Sequence, residues 1–217
     1  MSTWSDRAEA YRESPTHREG PDLDLLVEWC EPAVGVKALD VATGGGHVAR
    51  RLRERGCEVV SLDPSPGMRA DVLARAEEVP FEDGSFDVVV SRIAPHHFGD
   101  IRVAVAEMER VSNRLVVIED TLFSSDLHEE AERLRDPTHV RNYTEDEWRE
   151  FLTEAGLEVE QVECFEKTHP LEDWLARTGC EGEEAARVRE LLADRMTADR
   201  TAWTDTKVVI RARKSQS

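Results

Sequence analysis

The chain has 217 residues, of which 40% are hydrophobic and 34% are charged, and its formal net charge is −18. This length suits one domain. The mean hydropathy is −0.53 and no run approaches the ~20 apolar residues that cross a bilayer, so no membrane insertion is expected. Acidic charge repels phosphates, so nucleic acid is not expected as a partner. The segment MSTWSDRAEAYRES lacks the basic and apolar blocks of a signal peptide, which predicts a cytoplasmic location.

The first half of the chain alternates apolar runs with amphipathic stretches, a pattern typical of a parallel sheet with crossover helices. The apolar runs predict strands over 36–42, 57–63, 86–94 and 114–120, and the amphipathic stretches predict helices over 47–56 and 101–111. The third run is almost continuously apolar, as expected for a central strand covered on both faces. A doubly wound α/β sheet follows from this alternation.

One connection, between Asp63 and Pro80, is short for a crossover helix followed by a strand. We therefore expect at most one helical turn over 64–68 and a short edge strand over 70–76.

The second half of the chain mixes helices with alternating strands. Helices are predicted over 124–136, 144–156 and 181–203, and antiparallel strands with one face in water over 156–167 and 206–214. Thr144 is the expected N-cap of its helix, and Glu147 completes a capping box.

Three consecutive glycines, Gly44 to Gly46, follow the first predicted strand. Glycines at such a position let the backbone turn tightly and approach a bound molecule. The spacing of Gly44, Gly46 and Ala49 also satisfies the dinucleotide fingerprint. The loop by itself therefore leaves an NAD(P)-dependent oxidoreductase open.

Two carboxylates near this loop favour a nucleoside ligand with a charged amine. Asp63 follows the loop by about 20 residues, the spacing of a carboxylate that accepts both hydroxyls of a ribose; capping the next turn is its alternative role. Asp40 interrupts an apolar strand, where an unpaired carboxylate is costly. An amine on the ligand would justify Asp40, whereas a pyrophosphate would be repelled by it.

The four cysteines form no CxxC pair and the chain contains no HExxH motif, so we expect buried thiols and no metal site.

Four successive segments resemble the motifs of class I S-adenosylmethionine-dependent methyltransferases, with the UbiE/YcgJ-like branch the most similar: ALDVATGGGHVA, VVSLDPSPGM, EVPFEDGSFDVVVSRIAPHHF and RVSNRLVVIED. The later segment RNYTEDEWREFLTEAGLEVEQVECFEKTHPLEDW is also similar, so the resemblance covers most of the chain from residue 10 onward. It implies an α/β, Rossmann-like, doubly wound sheet of seven strands, the last antiparallel, with helices on both faces and a small helical cap.

The resemblance also implies one methyltransferase domain over residues 1–217. An N-terminal helical lid spans 1–32, the cofactor-binding core spans 33–120, and substrate-cap insertions span 121–150 and 167–205.

The implied cofactor is S-adenosyl-L-methionine, with S-adenosyl-L-homocysteine as product. By resemblance, Asp40 lies near the ammonium, Asp63 takes the ribose, and Pro64 and Met68 border the adenine. The loop against the amino-acid end of the cofactor consists of Ala42, Thr43, Gly44, Gly45 and Gly46. The remaining implied cofactor residues are Arg75, Ala76 and Arg92.

The chain departs from the family pattern at Arg75, which stands where the family has an acidic residue that binds the adenine amino group. Arginine offers only donors, although it stacks well on an aromatic face. Glu77 or a backbone carbonyl is the alternative acceptor. Arg92 is expected to neutralise a carboxylate, either the cofactor's or that of Asp87.

Candidate substrate residues lie after the fourth and fifth predicted strands and in the N-terminal segment. His96 is the candidate general base, since a neutral imidazole takes a proton at physiological pH; packing and backbone hydrogen bonding are the alternatives for it and for His97. The other candidate substrate residues are Tyr11, His17, His97, Asp120, His139, Arg141 and Tyr143. For Asp120 a helix cap is an equal alternative.

The sequence therefore predicts methyl transfer from S-adenosylmethionine to an O, N or C nucleophile of a small-molecule acceptor. Two alternatives stay open: the oxidoreductase and a methyltransferase-like binding protein without catalysis.

Overall fold

A computed structural model describes residues 4–215 of the protein, apart from the side chains of residues 6, 15 and 16. Within this range the strands are β1 (Lys37–Val41), β2 (Glu58–Leu62), β3 (Phe86–Arg92), β4 (Ser112–Thr121), β5 (Leu157–Pro170) and β6 (Ala202–Lys214). The helices are α1 (Trp4–Glu13), α2 (Pro15–Arg18), α3 (Pro21–Trp29), α4 (His47–Glu54), α5 (Ile101–Val111), α6 (Asp126–Arg135), α7 (Glu145–Glu154), α8 (Leu171–Ala176) and α9 (Gly182–Leu191). None of the described helices is long and apolar enough to cross a membrane.

The described strands form one mixed sheet in the order β2-β1-β3-β4-β6-β5. β1 to β4 are parallel to one another, and β6 runs antiparallel to both β4 and β5. The doubly wound α/β prediction and the antiparallel last strand are confirmed.

The expected seventh strand is not formed within residues 4–215. The predicted edge strand 70–76 contributes a single bridge between Val72 and Leu62. Its neighbour Asp71 accepts hydrogen bonds from the Ser61 amide (2.9 Å) and hydroxyl (2.7 Å), so a carboxylate takes the place of a backbone carbonyl at this edge. The reason is local: Pro66 and Met68 close one 3-10 turn after Asp63, as predicted, and too few residues remain before Pro80 for a full strand.

Successive side chains of the central strands point to opposite faces of the sheet, and both faces are covered by an apolar layer. Val88 and Val90 face α3 and α4, where Leu23 and Leu52 are buried, whereas Val89 faces α5 and α7. A third cluster lies under α8 and α9 and is centred on Trp203. Three of the four cysteines are buried as free thiols, and Cys164 is exposed.

The predicted long helix over 181–203 is wrong in its second half, because α9 ends at Leu191 and β6 already begins at Ala202. The buried Trp203 pairs with His169 of β5 and bridges back to Met196, so the segment between closes as a turn. Asp199 ties this turn by accepting from the Thr201 amide at 3.1 Å.

We predict that Thr144→Ala lowers the free energy of unfolding by about 1 kcal/mol. The structure confirms the capping box, in which the Thr144 hydroxyl accepts from the Glu147 amide and Glu147 reaches back to the Thr144 amide. Urea titration provides the measurement. Thr153→Ala, in the exposed last turn of the same helix, is the matched control and should change stability by less than half as much.

Candidate functional site

A cavity of about 490 Å³ lies at the carboxyl ends of β1, β2 and β3. In an open α/β sheet this edge is where ligands bind, and the volume is in the range of cofactor sites. Eleven of the twelve predicted cofactor residues line it, Gly46 being the exception: Asp40, Ala42, Thr43, Gly44, Gly45, Asp63, Pro64, Met68, Arg75, Ala76 and Arg92. Among the predicted substrate residues, Tyr11, His17 and His97 also line it.

Asp40 joins the end of β1 to the first turns of α4. Its Oδ2 accepts from the Thr43 hydroxyl at 2.5 Å and from the Ala49 amide at 3.1 Å. Between these partners the loop turns through left-handed conformations at Gly44 and Gly46 (φ 51° and 75°), where glycine avoids a steric cost. Burial raises the pKa of Asp40 to about 6, and its two hydrogen bonds only partly offset that effect. A cation in the cavity would favour its ionised form.

Asp63 ties the glycine loop to the chain that follows β2. One carboxylate oxygen accepts from the Gly44 amide at 3.0 Å, and the other accepts from the Ser65 amide at 2.9 Å. The turn-capping role is therefore present, and each oxygen keeps a lone pair for a further donor. Burial raises the pKa of Asp63.

Helix α1 covers the mouth of the cavity. Ser5 Oγ accepts from the Gly67 amide at 3.0 Å, and the Tyr11 carbonyl oxygen lies 3.1 Å from His47 Nε2. Glycines make this close approach possible, since a Cβ on Gly45 would lie 2.7 Å from His47 Nε2 and 3.1 Å from the Tyr11 carbonyl oxygen. Gly45 therefore serves the docking of the N-terminal helix, a role that the sequence pattern did not suggest.

Arg92 forms ion pairs with carboxylates of the protein. It donates to Glu119 at 2.6 Å and to Asp22 at 2.8 Å, and also to the His17 carbonyl oxygen at 2.8 Å. Asp87 is not its partner, because that carboxylate lies at the opposite end of β3 and accepts from the Lys37 amide. Burial alone would lower the pKa of Arg92, but Glu119 and Asp22 outweigh it and raise the pKa.

The adenine end of the predicted site holds Arg75 at the rim of the cavity. The Arg75 side chain is 65% exposed and lies 3.3 Å from Glu77 Oε2. Glu77 Oε1 accepts from the Gly99 amide at 2.7 Å, so both carboxylate oxygens of Glu77 already have partners. Pro66 and Phe98 supply apolar lining here. Glu77 Oε2 contacts only Arg75 and keeps a lone pair for a further donor, so stacking by Arg75 and acceptance by Glu77 both stay predictions.

His96 and Asp120 form a buried pair beside the cavity. Asp120 accepts from His96 Nδ1 at 2.5 Å and from the His96 amide at 2.8 Å. Burial alone would lower the pKa of His96, but Asp120 outweighs it and raises the pKa. Asp120 thus holds the histidine and also ties the 3-10 turn Pro95–His97 through the His96 amide, and it lines neither cavity. His96 lines a second, smaller cavity whose shared wall with the large one includes His97.

Besides Asp120, three predicted substrate residues line neither cavity. The His139 Nε2 lies 3.1 Å from Glu129, Arg141 pairs with Glu147 on the surface, and the Tyr143 ring packs against Phe151 with centroids 5.1 Å apart. The insertion after β4 passes alongside the site, and these side chains secure the insertion itself.

Sequence reasoning missed the basic side chains around the smaller cavity: Arg135, Lys167, Arg177 and Lys207. One signal was available, because the chain has only four lysines and two of them fall in alternating positions of the late strands.

A family profile described as a methyltransferase domain matches residues 39–114. Over 199 residues the chain is 30% identical to the uncharacterized methyltransferase YcgJ of Bacillus subtilis strain 168, covering 81% of this chain and 78% of that protein. A protein of Bacillus halodurans C-125 classed with the methyltransferases superposes with a TM-score of 0.82 at 27% identity, over 91% of this chain and 100% of that one. The solved YcgJ structure from Bacillus subtilis shares the fold, with a TM-score of 0.81 at 22% identity. The superposition covers 90% of this chain and 99% of that one.

The chain therefore belongs to the class I S-adenosylmethionine-dependent methyltransferase family, as the sequence motifs predicted. Within that family it is a homologue of YcgJ.

We predict that Gly45→Ala loosens the docking of α1. The added Cβ overpacks the contact with His47 and Tyr11, at a typical cost of about 1–3 kcal/mol. Tryptic cleavage after Arg12 and Arg18 should then accelerate by at least about fivefold, as followed by mass spectrometry.

Gly35→Ala is the matched control for this measurement. A Cβ there meets open space, but the backbone is left-handed (φ 83°), so the change costs stability far from the lid. Equal acceleration in both variants would show that general destabilisation, and not the Gly45 contact, exposes the N-terminal helices.

Proposed function

We propose that the protein transfers a methyl group from S-adenosylmethionine to an O, N or C nucleophile of a small molecule. One observation carries the proposal: Asp40 and Asp63, two buried carboxylates at adjacent strand ends, line the same cofactor-sized cavity on either side of the glycine loop. A carboxylate buried at such cost calls for a cationic or multiply donating ligand. A sulfonium nucleoside with an ammonium and a ribose diol offers both.

The residues of the cavity fit that cofactor at each of its parts. Asp40 would face the ammonium, Asp63 would accept from the ribose hydroxyls, and Pro64 and Met68 would border the adenine, on which Arg75 would stack. When bound, S-adenosylmethionine would supply an electrophilic methyl group, with S-adenosylhomocysteine as the leaving group. The protein's part is alignment and the exclusion of water.

The N-terminal helices provide the exclusion of water in this proposal. Trp4 packs edge-on against His97, with ring centroids 4.8 Å apart, and Arg7 forms a buried ion pair with Asp136 at 3.2 Å. Residues 4–32 of the predicted lid 1–32 would serve as this cover, residues 1–3 lying outside the described part of the chain, and the insertions after β4 and β5 would cover the acceptor. The modest volume of both cavities supports a small molecule as acceptor.

His96 is the proposed general base for acceptors that carry a proton on the nucleophile. Asp120 fixes the ring by its contact with Nδ1, which leaves Nε2 as the nitrogen that receives the proton. Asp120 is a positioning residue in this arrangement, since it touches the base and does not line either cavity.

Calorimetric titration tests the cofactor. We expect micromolar binding of S-adenosylmethionine and S-adenosylhomocysteine and none of NADH. Asp63→Asn should weaken both by at least about tenfold, since one charge-assisted hydrogen bond contributes about 1.5–3 kcal/mol. Asp87→Asn, at the opposite end of the sheet, should bind like the wild type.

Absence of binding by all three ligands would instead favour a binding protein without methyltransferase activity. NADH binding alone would support the oxidoreductase.

The pH dependence of kcat/KM tests His96 with any acceptor that the protein methylates. A base must be deprotonated, so the rate should fall as pH drops through the His96 pKa, which lies above its ordinary value of 6.5. Glu132 also raises this pKa and Lys207 lowers it. His96→Gln should lower the rate by about 10²-fold and abolish the acid limb.

Asp120→Asn tests whether the charge of Asp120 acts on His96, because asparagine keeps the size of the side chain and removes its charge. Loss of its charge should lower the His96 pKa and move the acid limb to lower pH. An acid limb that stays in place in both variants would remove His96 from the mechanism.

A further inference from the structure

The smaller cavity lies behind the wall of the proposed cofactor site. It measures about 40 Å³, and the four side chains that line both cavities are Tyr11, His17, Ile93 and His97. Asp40 and Asp63 line only the large cavity, whereas His96 lines only the small one. The small cavity has room for a carboxylate-sized group next to the base, and the rest of an acceptor would extend past the four shared side chains toward the large cavity.

Basic side chains dominate the lining of this small cavity. Four of the lining side chains are strongly basic: Arg135, Lys167, Arg177 and Lys207. Two are acidic: Glu132 and Asp205. The basic excess is notable in a chain of net charge −18. Two of its four lysines meet here, although lysine is otherwise rare in the sequence.

The sheet register brings these lysines to the cavity. Lys167 of β5 lies opposite Asp205 of β6, and Lys207 lies opposite Thr121 of β4. The Lys207 ammonium donates to Asp205 at 2.8 Å and to the Thr121 hydroxyl at 2.5 Å, and Lys167 pairs with Asp22. Both ammonium groups are therefore held in place, and they are nearly removed from solvent.

His169 is a buried polar side chain on the same wall whose hydrogen bonding is incomplete. Its Nε2 lies 3.1 Å from Asp205 Oδ1, but outside hydrogen-bond geometry, and its Nδ1 has no partner among the described residues. The side chain is only 7% exposed. A polar ligand atom or a water molecule in this cavity would satisfy the ring nitrogen.

The charges around the cavity shift its titratable groups in different directions. Despite its burial, the pKa of Lys207 is raised by Asp205, Glu132 and Asp120. The pKa of His17 lies well below its usual value because of burial and the charges of Arg177, Arg92, Lys167 and Lys207. Burial and the nearby Arg135 lower the pKa of Arg177 to about 10. An added negative charge would relieve this repulsion.

We propose that the methyl acceptor carries a carboxylate, which binds in the small cavity between Lys167, Lys207 and Arg177. This assignment rests on the proposed function. Its nucleophilic atom then faces the wall shared with the large cavity, beside His96. The carboxylate of S-adenosylmethionine is the other group that could bind these basic side chains. Asp40 and Asp63 line only the large cavity, so the proposed cofactor site lies there and the acceptor's carboxylate is the better candidate for the small cavity.

The test uses formate, acetate and benzoate as probes, each compared with its neutral amide. The protein is first saturated with S-adenosylhomocysteine, chloride keeps the ionic strength constant, and the dissociation constants are measured by calorimetry. We expect at least one of the three carboxylates to bind at least tenfold more tightly than its amide. A protein with no such preference for any of the three overturns the proposal.

Lys167→Met tests the site itself. Asp22 keeps Arg92 as its partner in this variant, and circular dichroism with urea titration checks that the variant folds. Binding of the preferred carboxylate should weaken at least tenfold, and Lys167→Arg should restore most of it. Lys37→Met removes the same charge from the exposed start of β1 and should leave binding unchanged. Equal weakening by Lys167→Met and Lys37→Met would contradict a local site.

Two further outcomes separate the acceptor from the cofactor. In the first, the carboxylates bind only in the absence of S-adenosylhomocysteine and are displaced by it. This result would mean that the basic groups bind the cofactor's own carboxylate, and it would overturn the proposal. Failure of S-adenosylhomocysteine to bind at all would refute the proposed function, whereas its binding without any carboxylate preference would refute the acceptor class alone.

Discussion

The buried ion cluster around Arg92 ties together the parts of the molecule that enclose the site. Arg92 at the end of β3 joins Glu119 of β4, Asp22 of α3 and the backbone of α2, and Lys167 of β5 also pairs with Asp22. The Arg92, Asp22 and Glu119 side chains are at most 5% exposed. Breaking such a buried network leaves an uncompensated charge, at a typical cost of about 3–5 kcal/mol. The cluster thereby holds the N-terminal segment against the carboxyl edge of the sheet.

The two cavities enclosed by these parts of the molecule differ in the charge of the side chains that line them. The large cavity is bordered by Asp40 and Asp63, and burial raises the pKa of both. The small cavity is bordered by an excess of basic groups. A cationic ligand in the first and an anionic one in the second would each relieve an electrostatic cost already present in the protein. The two proposals, a sulfonium cofactor and a carboxylate acceptor, are complementary for this reason.

Two of the four side chains that line both cavities come from the N-terminal helices. Tyr11 and His17 line both spaces, and α1 rests on backbone at Gly45 and Gly67, where added Cβ atoms would clash with it. Displacement of α1 and α2 would therefore open the cofactor cavity and join it to the acceptor cavity. Such a displacement would break the polar contacts of α1 between Ser5 and Gly67 and between Arg7 and Asp136.

The sequence by itself determined the parallel sheet, the antiparallel last strand, the capped helix α7, the methyltransferase family and the position of the glycine loop. Each of these depends on local signals: apolar runs, the Thr144–Glu147 box, and glycines and carboxylates at strand ends. Eleven of the twelve residues predicted to bind the cofactor line one cavity because parallel strands end at the same edge of a sheet.

Only the tertiary structure decided the strand count, the end of α9 and the composition of the acceptor cavity. Val72 forms one bridge in place of a strand, and Trp203 enters β6 because burial and pairing with β5 outweigh local helix propensity. Arg135, Lys167, Arg177 and Lys207 come from three elements and a turn that are far apart in the chain. Their convergence depends on cross-strand register and on packing of the cap, and neither is encoded in a local pattern.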